Sequence, residues 1–241
     1  MTQFDLSIVV ACYNEEPHLL RSILKIEKIM NLMNYSYEFV FIDDCSKDNT
    51  RDVVKKICEN RDNCRYIFHE KNVGRGGTVK EGLLLAKGKF VGFLDIDLEV
   101  PAHYLPAILI ALEEGYDMAC IARIYEVPFS INGLFRLILS EGYKKIAHLT
   151  LKLKCPDSEA GFKFFNLETM RSIIVSTEDK RWFWDTEIIA MAEKNNKHIK
   201  SIPGVFVRDN NKQSTVKLIP DSIEYIKAIR RFKKSHNWLS R

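Results

Sequence analysis

Five short apolar runs, separated by stretches with helical periodicity, constrain this chain more than any other feature. They are "LSIVVAC" (6–12), "YEFVFIDD" (37–44), "CRYIFH" (64–69), "KFVGFLDI" (89–96) and "DMACIA" (117–122). Each is rich in Val, Ile and Phe and lacks the polar alternation of a half-exposed strand, so each reads as a strand buried on both faces. Between them, residues 16–32, 48–60, 75–86 and 103–114 carry apolar groups at helical spacing, with Asp48 placed as an N-cap for the second. This alternation predicts an α/β fold built on a doubly wound, mostly parallel sheet.

After Arg123 the alternation stops. Residues 129–153, "FSINGLFRLILSEGYKKIAHLTLKL", gather apolar groups on one helical face and place Arg136, Lys144, Lys145 and Lys152 largely on others. A strand at 161–165, a helix near 167–175, the stretch "RWFWDTEIIAMAEKNN" (181–196) with a helix starting at Trp184, a strand at 198–207 and a basic helix at 219–235 follow. Neither a low-complexity linker nor a repeat interrupts the chain, which predicts a single domain, 1–241, whose second half flanks the sheet. A chain of 241 residues, 46% hydrophobic, can bury the core this requires.

Lys and Arg together outnumber Asp and Glu by 36 to 32, too small an excess for a nucleic-acid footprint. The six cysteines form no CxxC pair and have no histidine at zinc-finger spacing, which predicts reduced thiols in a cytoplasmic protein. No basic, cleavable leader precedes the first strand. The longest apolar run, "YLPAILIAL", stops at Glu113 and Glu114, short of the ~18–20 residues of a membrane span. The expectation is a soluble protein, at most peripheral to a membrane surface.

In an open parallel sheet, ligands bind beyond the carboxyl ends of the strands. There this sequence places Tyr13-Asn14-Glu15-Glu16, Asp43-Asp44-Cys45-Ser46 and Asp95-Ile96-Asp97, while "EKNVGRGG" (70–77) follows the third strand. Asp95 and Asp97 have the spacing to meet one ligand. Hard cations such as Mg²⁺ or Mn²⁺ take oxygen donors, commonly one or two carboxylates plus substrate phosphates, so a nucleotide diphosphate is the natural companion. An isolated D-x-D also fits a solvated loop entrance; its coincidence with acids ending two other strands favours the metal. The first strand is followed by "ACYNEE" rather than G-x-G-x-x-G, and no G-x-x-x-x-G-K-[ST] occurs, which argues against a nicotinamide-dependent Rossmann enzyme and a P-loop NTPase.

The ordered motifs "SIVVACYNEE", "VFIDDCSKDNT", "EKNVGRGG" and "VGFLDIDLEVP" resemble the nucleotide-sugar-binding half of the family-2 inverting glycosyltransferases, which have the GT-A type fold. Further on, "SEAGFKFF", "RWFWDTEIIAMA" and "VFVRDNNKQSTVKL" resemble the polyprenol-phosphate branch, the dolichyl-phosphate mannose and glucose synthases. Arg181-Trp182 is nearer the glucosyl type and "DIDLEVP" nearer the mannosyl type, so the donor stays open between UDP-glucose and GDP-mannose types.

The resemblance divides the chain into a donor half, 1–123, and an acceptor half, 124–241. It implies that Tyr13, Glu15 and Asp44 hold the base and ribose, with Asp43 beside them; the competing reading is that either Asp caps the following turn. Asp95 and Asp97 would bind the metal. Arg75 is either a partner of the diphosphate or a solvated loop arginine. Arg123, and Arg136 with Ser140, fall where relatives gather the acceptor phosphate, and Arg208 with Ser214 and Lys217 fall where a closing loop contacts phosphates. Asp185 and Glu187 stand where many relatives keep a general base. A phosphate monoester is already ionised near neutral pH and needs little such help, which leaves Asp185 to orient the sugar or the lid, the competing reading being an N-cap. Trp182, Phe183 and Trp184 read as packing, with one tryptophan able to face the donor.

The expected activity is therefore metal-dependent, inverting hexosyl transfer from a nucleotide-diphosphate sugar to a polyprenyl or dolichyl phosphate. The alternatives are transfer to a carbohydrate hydroxyl, which requires Asp185 or Glu187 as base, and a nucleotide-sugar-binding regulator without turnover. Residues 129–153 and the tail, with Lys227, Arg230, Arg231, Lys233 and Lys234, suggest contact with an anionic membrane surface or a membrane-embedded partner subunit.

Overall fold

The computed structural model describes residues 3–125, 142, 145–207, 218–236 and 238. Strands β1 (Phe4–Cys12), β2 (Tyr37–Asp43), β3 (Cys64–Phe68), β4 (Gly88–Leu94) and β5 (Met118–Tyr125) alternate with helices α1 (Leu19–Met30), α2 (Thr50–Cys58), α3 (Arg75–Leu85) and α4 (Leu105–Glu113). A helical stretch over 145–151 (α5), β6 (Phe162–Asn166), α6 (Leu167–Ser176), α7 (Trp184–Lys194), β7 (Ile199–Phe206) and α8 (Leu218–Ser235) follow.

The seven strands form one sheet in the order β3-β2-β1-β4-β6-β5-β7. All neighbours pair parallel except β6, which runs antiparallel to both β4 and β5. Strand β1 shows why its sequence is apolar throughout: Leu6, Ile8 and Val10 enter the core shared with α1, α2 and α4, whereas Val9 enters the opposite core, shared with α3, α6, α7 and α8. Both faces are covered, so alternating polarity has no place in it.

Asp48 acts one position earlier than an N-cap. The N-cap residue of α2 is Asn49, and the Asp48 carboxylate accepts from Thr50 N at 3.0 Å, because the chain turns into the helix one residue later than the pattern implies.

The second half is packed against the sheet where it is described. In α5, Ala147 and Leu151 are buried while Ile146 and Leu149 are exposed. One face of the tail is core: α8 buries Tyr225, Ala228, Ile229 and Phe232 against Phe183, Trp184 and Ile188. All six cysteines are free thiols, with Cys120 and Cys155 sulfurs 3.7 Å apart. Among the described residues, no helix is long and apolar enough to cross a membrane.

Candidate active site

Strands β2, β1 and β4 lie side by side and parallel, so the loops leaving their carboxyl ends emerge next to one another. The order of strands reverses between β1 and β4, where an open sheet forms its binding crevice. The loops after β1 and β2 are bonded together. Asn14 N donates to Ser46 Oγ (2.9 Å), Lys47 N to Asn14 Oδ1 (2.8 Å) and Glu15 N to Thr50 Oγ1 (2.8 Å), while the Glu16 carboxylate accepts from Asn49 N (3.1 Å). Tyr13 and Glu15 are thereby fixed beside Asp43 and Asp44, and the Tyr13 ring stays partly exposed.

The two adjacent acids have different duties. Asp44 Oδ1 accepts from His69 Nδ1 (2.9 Å) and Val73 N (2.7 Å), and its Oδ2 from Gly74 N (2.9 Å). Asp44 therefore organises the 69–74 loop with both oxygens. Asp43 Oδ1 accepts from Arg51 Nε (2.6 Å) and Ser46 N (3.1 Å), the latter being the turn-capping role. Its Oδ2 is buried, and among the described residues no donor reaches it. A buried carboxylate oxygen left this way is costly unless a ligand completes it.

Gly74 explains the glycine-rich stretch. Its φ is +96°, and a Cβ there would collide with the Lys180 carbonyl, so only glycine lets this loop turn into α3 so close to the 178–183 segment. The turn delivers Arg75 into an acidic cluster. Its guanidinium donates to Asp95 Oδ1 (2.7 Å) and to Asp185 Oδ2, over the rings of Phe93 and Trp182. Burial opposes the charge, but Asp185 and Asp95 outweigh it and raise the Arg75 pKa. Arg75 is therefore neither a solvated arginine nor an uncommitted phosphate partner.

Asp185 is buried on α7 and uses both oxygens, the second accepting from Lys163 Nζ at 2.8 Å. It is not an N-cap, since that position is Phe183. Glu187 is equally committed: its oxygens accept from Glu178 N (2.9 Å) and Asp179 N (2.8 Å), and burial raises its pKa. Phe183 and Trp184 are core, as expected of packing residues, while Trp182 is partly exposed beside Arg75.

Asp95 and Asp97 leave β4 through a turn in which Leu98 N donates to Asp95 O (3.0 Å) and Glu99 N to Asp97 Oδ1 (3.2 Å). Leu98 holds φ at 55°, a left-handed conformation costing roughly 1–2 kcal/mol for a residue with a Cβ. The Asp95 side chain is 52% exposed even while paired with Arg75. Gly161 backs it closely, and a Cβ there would collide with Asp95 Oδ2. No set of three or more ligating side chains forms among the described residues. Asp95 and Asp97 are two carboxylates, fewer donors than a hard cation takes, so an ion held there would need phosphate oxygens to complete it.

Arg123 is taken up by Asp157. Its Nε and Nη2 donate to that carboxylate at 2.7 and 2.9 Å, and its backbone N at 3.1 Å; the pair raises the Arg123 pKa against the opposing effect of burial. Arg136, Ser140, Arg208, Ser214 and Lys217 lie outside the described residues.

Three further residues belong to this cluster. Lys163 is fully buried between Ala160 O and Asp185, and its signal in the sequence is a lone cation inside the apolar strand "FKFFN". Asp157, the partner of Arg123, and His69, the partner of Asp44, carry no comparable signal, because each is defined by a contact across more than 20 residues.

The chain matches known proteins in sequence and in fold. Residues 7–173 match the domain described as glycosyl transferase family 2. The chain is 31% identical over 209 residues to a dolichyl-phosphate beta-glucosyltransferase of Dictyostelium discoideum, covering 79% of this chain and 63% of that protein. It is 29% identical over 210 residues to the Homo sapiens protein of the same name, covering 78% and 63%. It thus spans less than two thirds of the length of these relatives. In fold, it matches glucosyl-3-phosphoglycerate synthase from Mycobacterium tuberculosis in complex with uridine diphosphate, with a TM-score of 0.70 and 18% identity over 95% of this chain and 80% of that one. S. aureus TarS in complex with UDP-GlcNAc gives 0.60 and 19% over 95% and 66%. The architecture is the GT-A type that the motifs implied. The chain belongs to glycosyl transferase family 2.

Proposed function

We propose that this chain transfers a hexose, with inversion, from a nucleotide-diphosphate sugar to a polyprenyl phosphate such as dolichyl phosphate. The likeness to dolichyl-phosphate beta-glucosyltransferases favours glucose as the sugar. The observation that carries the choice of acceptor is the state of the two candidate bases. Asp185 is buried between Arg75 and Lys163, and both Glu187 oxygens hold backbone amides. A hydroxyl acceptor needs a base within reach of its proton, whereas a phosphate acceptor arrives ionised.

In this reading Asp43 Oδ2 accepts from the base or ribose, and Tyr13 and Glu15 flank it. Asp95 and Asp97 would hold Mg²⁺ or Mn²⁺; a solved relative in fold, glucosyl-3-phosphoglycerate synthase, is complexed with Mn²⁺ and uridine diphosphate. Such an ion supplies neutralisation of the charge that develops on the leaving diphosphate. Arg75, held by Asp95 and Asp185, keeps the carboxylates and the Trp182 ring in fixed register at the sugar. An oxygen of the acceptor phosphate forms a bond to the anomeric carbon as the bond from that carbon to the diphosphate breaks, releasing the nucleoside diphosphate. Positioning and electrostatic complementarity supply the rate. Arg136, Ser140, Arg208, Ser214 and Lys217 remain proposed acceptor and phosphate contacts, and Arg123 acts there through the segment that Asp157 ties to β5.

We further propose peripheral contact with an anionic membrane surface. The apolar face of α8 is consumed by the core, so the helix cannot lie embedded in the interface. Its outward stripe of Ile223, Lys227, Arg230 and Lys234, at helical spacing, is exposed and suits lipid headgroups. The donor half of the proposal is tested by calorimetry with uridine and guanosine diphosphates, with and without Mn²⁺: metal-dependent binding of one is expected, and binding of neither would refute it.

A further inference from the structure

The proposed reaction makes no use of His69, yet its surroundings are unusually specific. The ring follows β3 and its side chain is only 10% exposed. Nδ1 lies 2.9 Å from Asp44 Oδ1 and Nε2 lies 2.9 Å from Glu81 Oε2. A neutral imidazole has one N–H and one lone pair, so it would turn a lone pair toward one of these two acceptors. Only the imidazolium donates to both.

We propose that His69 is a positioning residue: as an imidazolium clamped between Asp44 and Glu81, it locks the carboxylate that anchors Val73 and Gly74, and so sets Arg75 against Asp95 and Asp185. Asp44 holds Val73 N at 2.7 Å and Gly74 N at 2.9 Å, and Arg75 is the next residue. The clamp is a property of the fold; only its effect on nucleotide affinity rests on the donor reading given above.

The charged groups around the ring are few. Asp44 faces it from the end of β2 and Glu81 from α3. From α2, Arg51 Nη2 donates to the His69 carbonyl at 2.6 Å and is itself paired with Asp43, whose carbonyl accepts His69 N at 2.9 Å. Glu70 and Lys71 follow in sequence. Burial pushes the imidazole pKa down, but the bonds to Asp44 and Glu81 outweigh it and leave it raised above the ordinary 6.5. A raised folded-state pKa means the contribution is complete below the unfolded value and is lost as pH climbs through the folded one.

The test combines an NMR titration of the His69 ring, hydrogen-exchange protection of the Val73 and Gly74 amides, and calorimetry with uridine and guanosine diphosphates across pH. The wild-type ring is expected to titrate above 6.5. Val73 and Gly74 protection and nucleotide affinity should fall over the same pH interval. Glu81→Gln should move that interval to lower pH, because glutamine can donate to a neutral ring. His69→Gln should hold protection and affinity several-fold below the low-pH wild-type level and abolish the transition. A ring titrating at or below 6.5, or unchanged Val73 and Gly74 protection in His69→Gln, would overturn the proposal. If the wild-type protein binds neither nucleotide, the donor reading fails, while ring titration and amide protection still decide the clamp.

Discussion

Arg75 and Asp185, 110 residues apart in sequence, form an ion pair that joins the glycine-rich loop to the first turn of α7. Arg75 also holds Asp95, and Asp185 also holds Lys163 on β6. Four charges from four elements thus share one cluster, and the acid at the place of a general base is neutralised from two sides. This arrangement favours an acceptor that brings its own negative charge.

Asp185→Asn removes the shared counter-charge of two cations, one of them fully buried. Breaking such a pair costs about 3–5 kcal/mol, so chemical denaturation should show a loss of that order. Residual activity should fall sharply yet keep the wild-type pH profile. Disappearance of an acidic limb from the profile would instead identify Asp185 as a base.

Asp43→Asn and Asp44→Asn should separate. The first changes the carboxylate whose buried oxygen no donor among the described residues reaches, and calorimetry should show nucleoside diphosphate affinity reduced about tenfold, the ~1.4 kcal/mol of one charge-assisted hydrogen bond. The second should loosen the 69–74 loop and lower the midpoint of thermal unfolding, with nucleotide affinity reduced through that loosening. Equal effects on affinity with no change in unfolding would contradict this division.

Asp97→Ala should abolish metal-stimulated turnover while leaving the unfolding midpoint within a few degrees of wild type, because the residue lies on the turn after β4 rather than in the core. Metal titration followed by nucleotide binding checks this. Turnover within a few-fold of wild type would remove the metal from the carboxylate pair.

Lys227, Arg230 and Lys234, changed together to Gln, should weaken co-sedimentation with vesicles containing anionic lipid. Each contributes about 1 kcal/mol near such a surface, and wild-type binding should decline with added salt. Arg231 is left out because it pairs with Glu224 at 2.9 Å. Binding indifferent to lipid charge would point to a partner protein instead.

Much of this fold was legible because buried parallel strands leave continuous apolar runs. Phe4–Cys12, Tyr37–Asp43 and Gly88–Leu94 differ from the expected strands only at their ends. The place of Phe162–Asn166 between β4 and β5 was not, since a five-residue strand carries no record of which neighbours it pairs with. The strand-end acids were legible as a group, but the division between Asp43 and Asp44 was not. It is decided by His69, Val73 and Gly74, which approach Asp44 from another loop. Arg123 likewise looked available for a phosphate until Asp157, 34 residues later, claimed it. Lys163 could have been singled out, because a cation within an apolar strand requires a buried counter-charge.

The central claim, sugar transfer to a lipid phosphate, is tested most directly by nucleotide release from UDP-glucose and GDP-mannose with Mn²⁺, with and without a short polyprenyl phosphate. Release should accelerate when the polyprenyl phosphate is added, with the hexosyl phosphate lipid as product, and should not respond to the corresponding polyprenol or to free sugars. Acceleration by a carbohydrate hydroxyl acceptor, with no response to the lipid phosphate, would contradict the account.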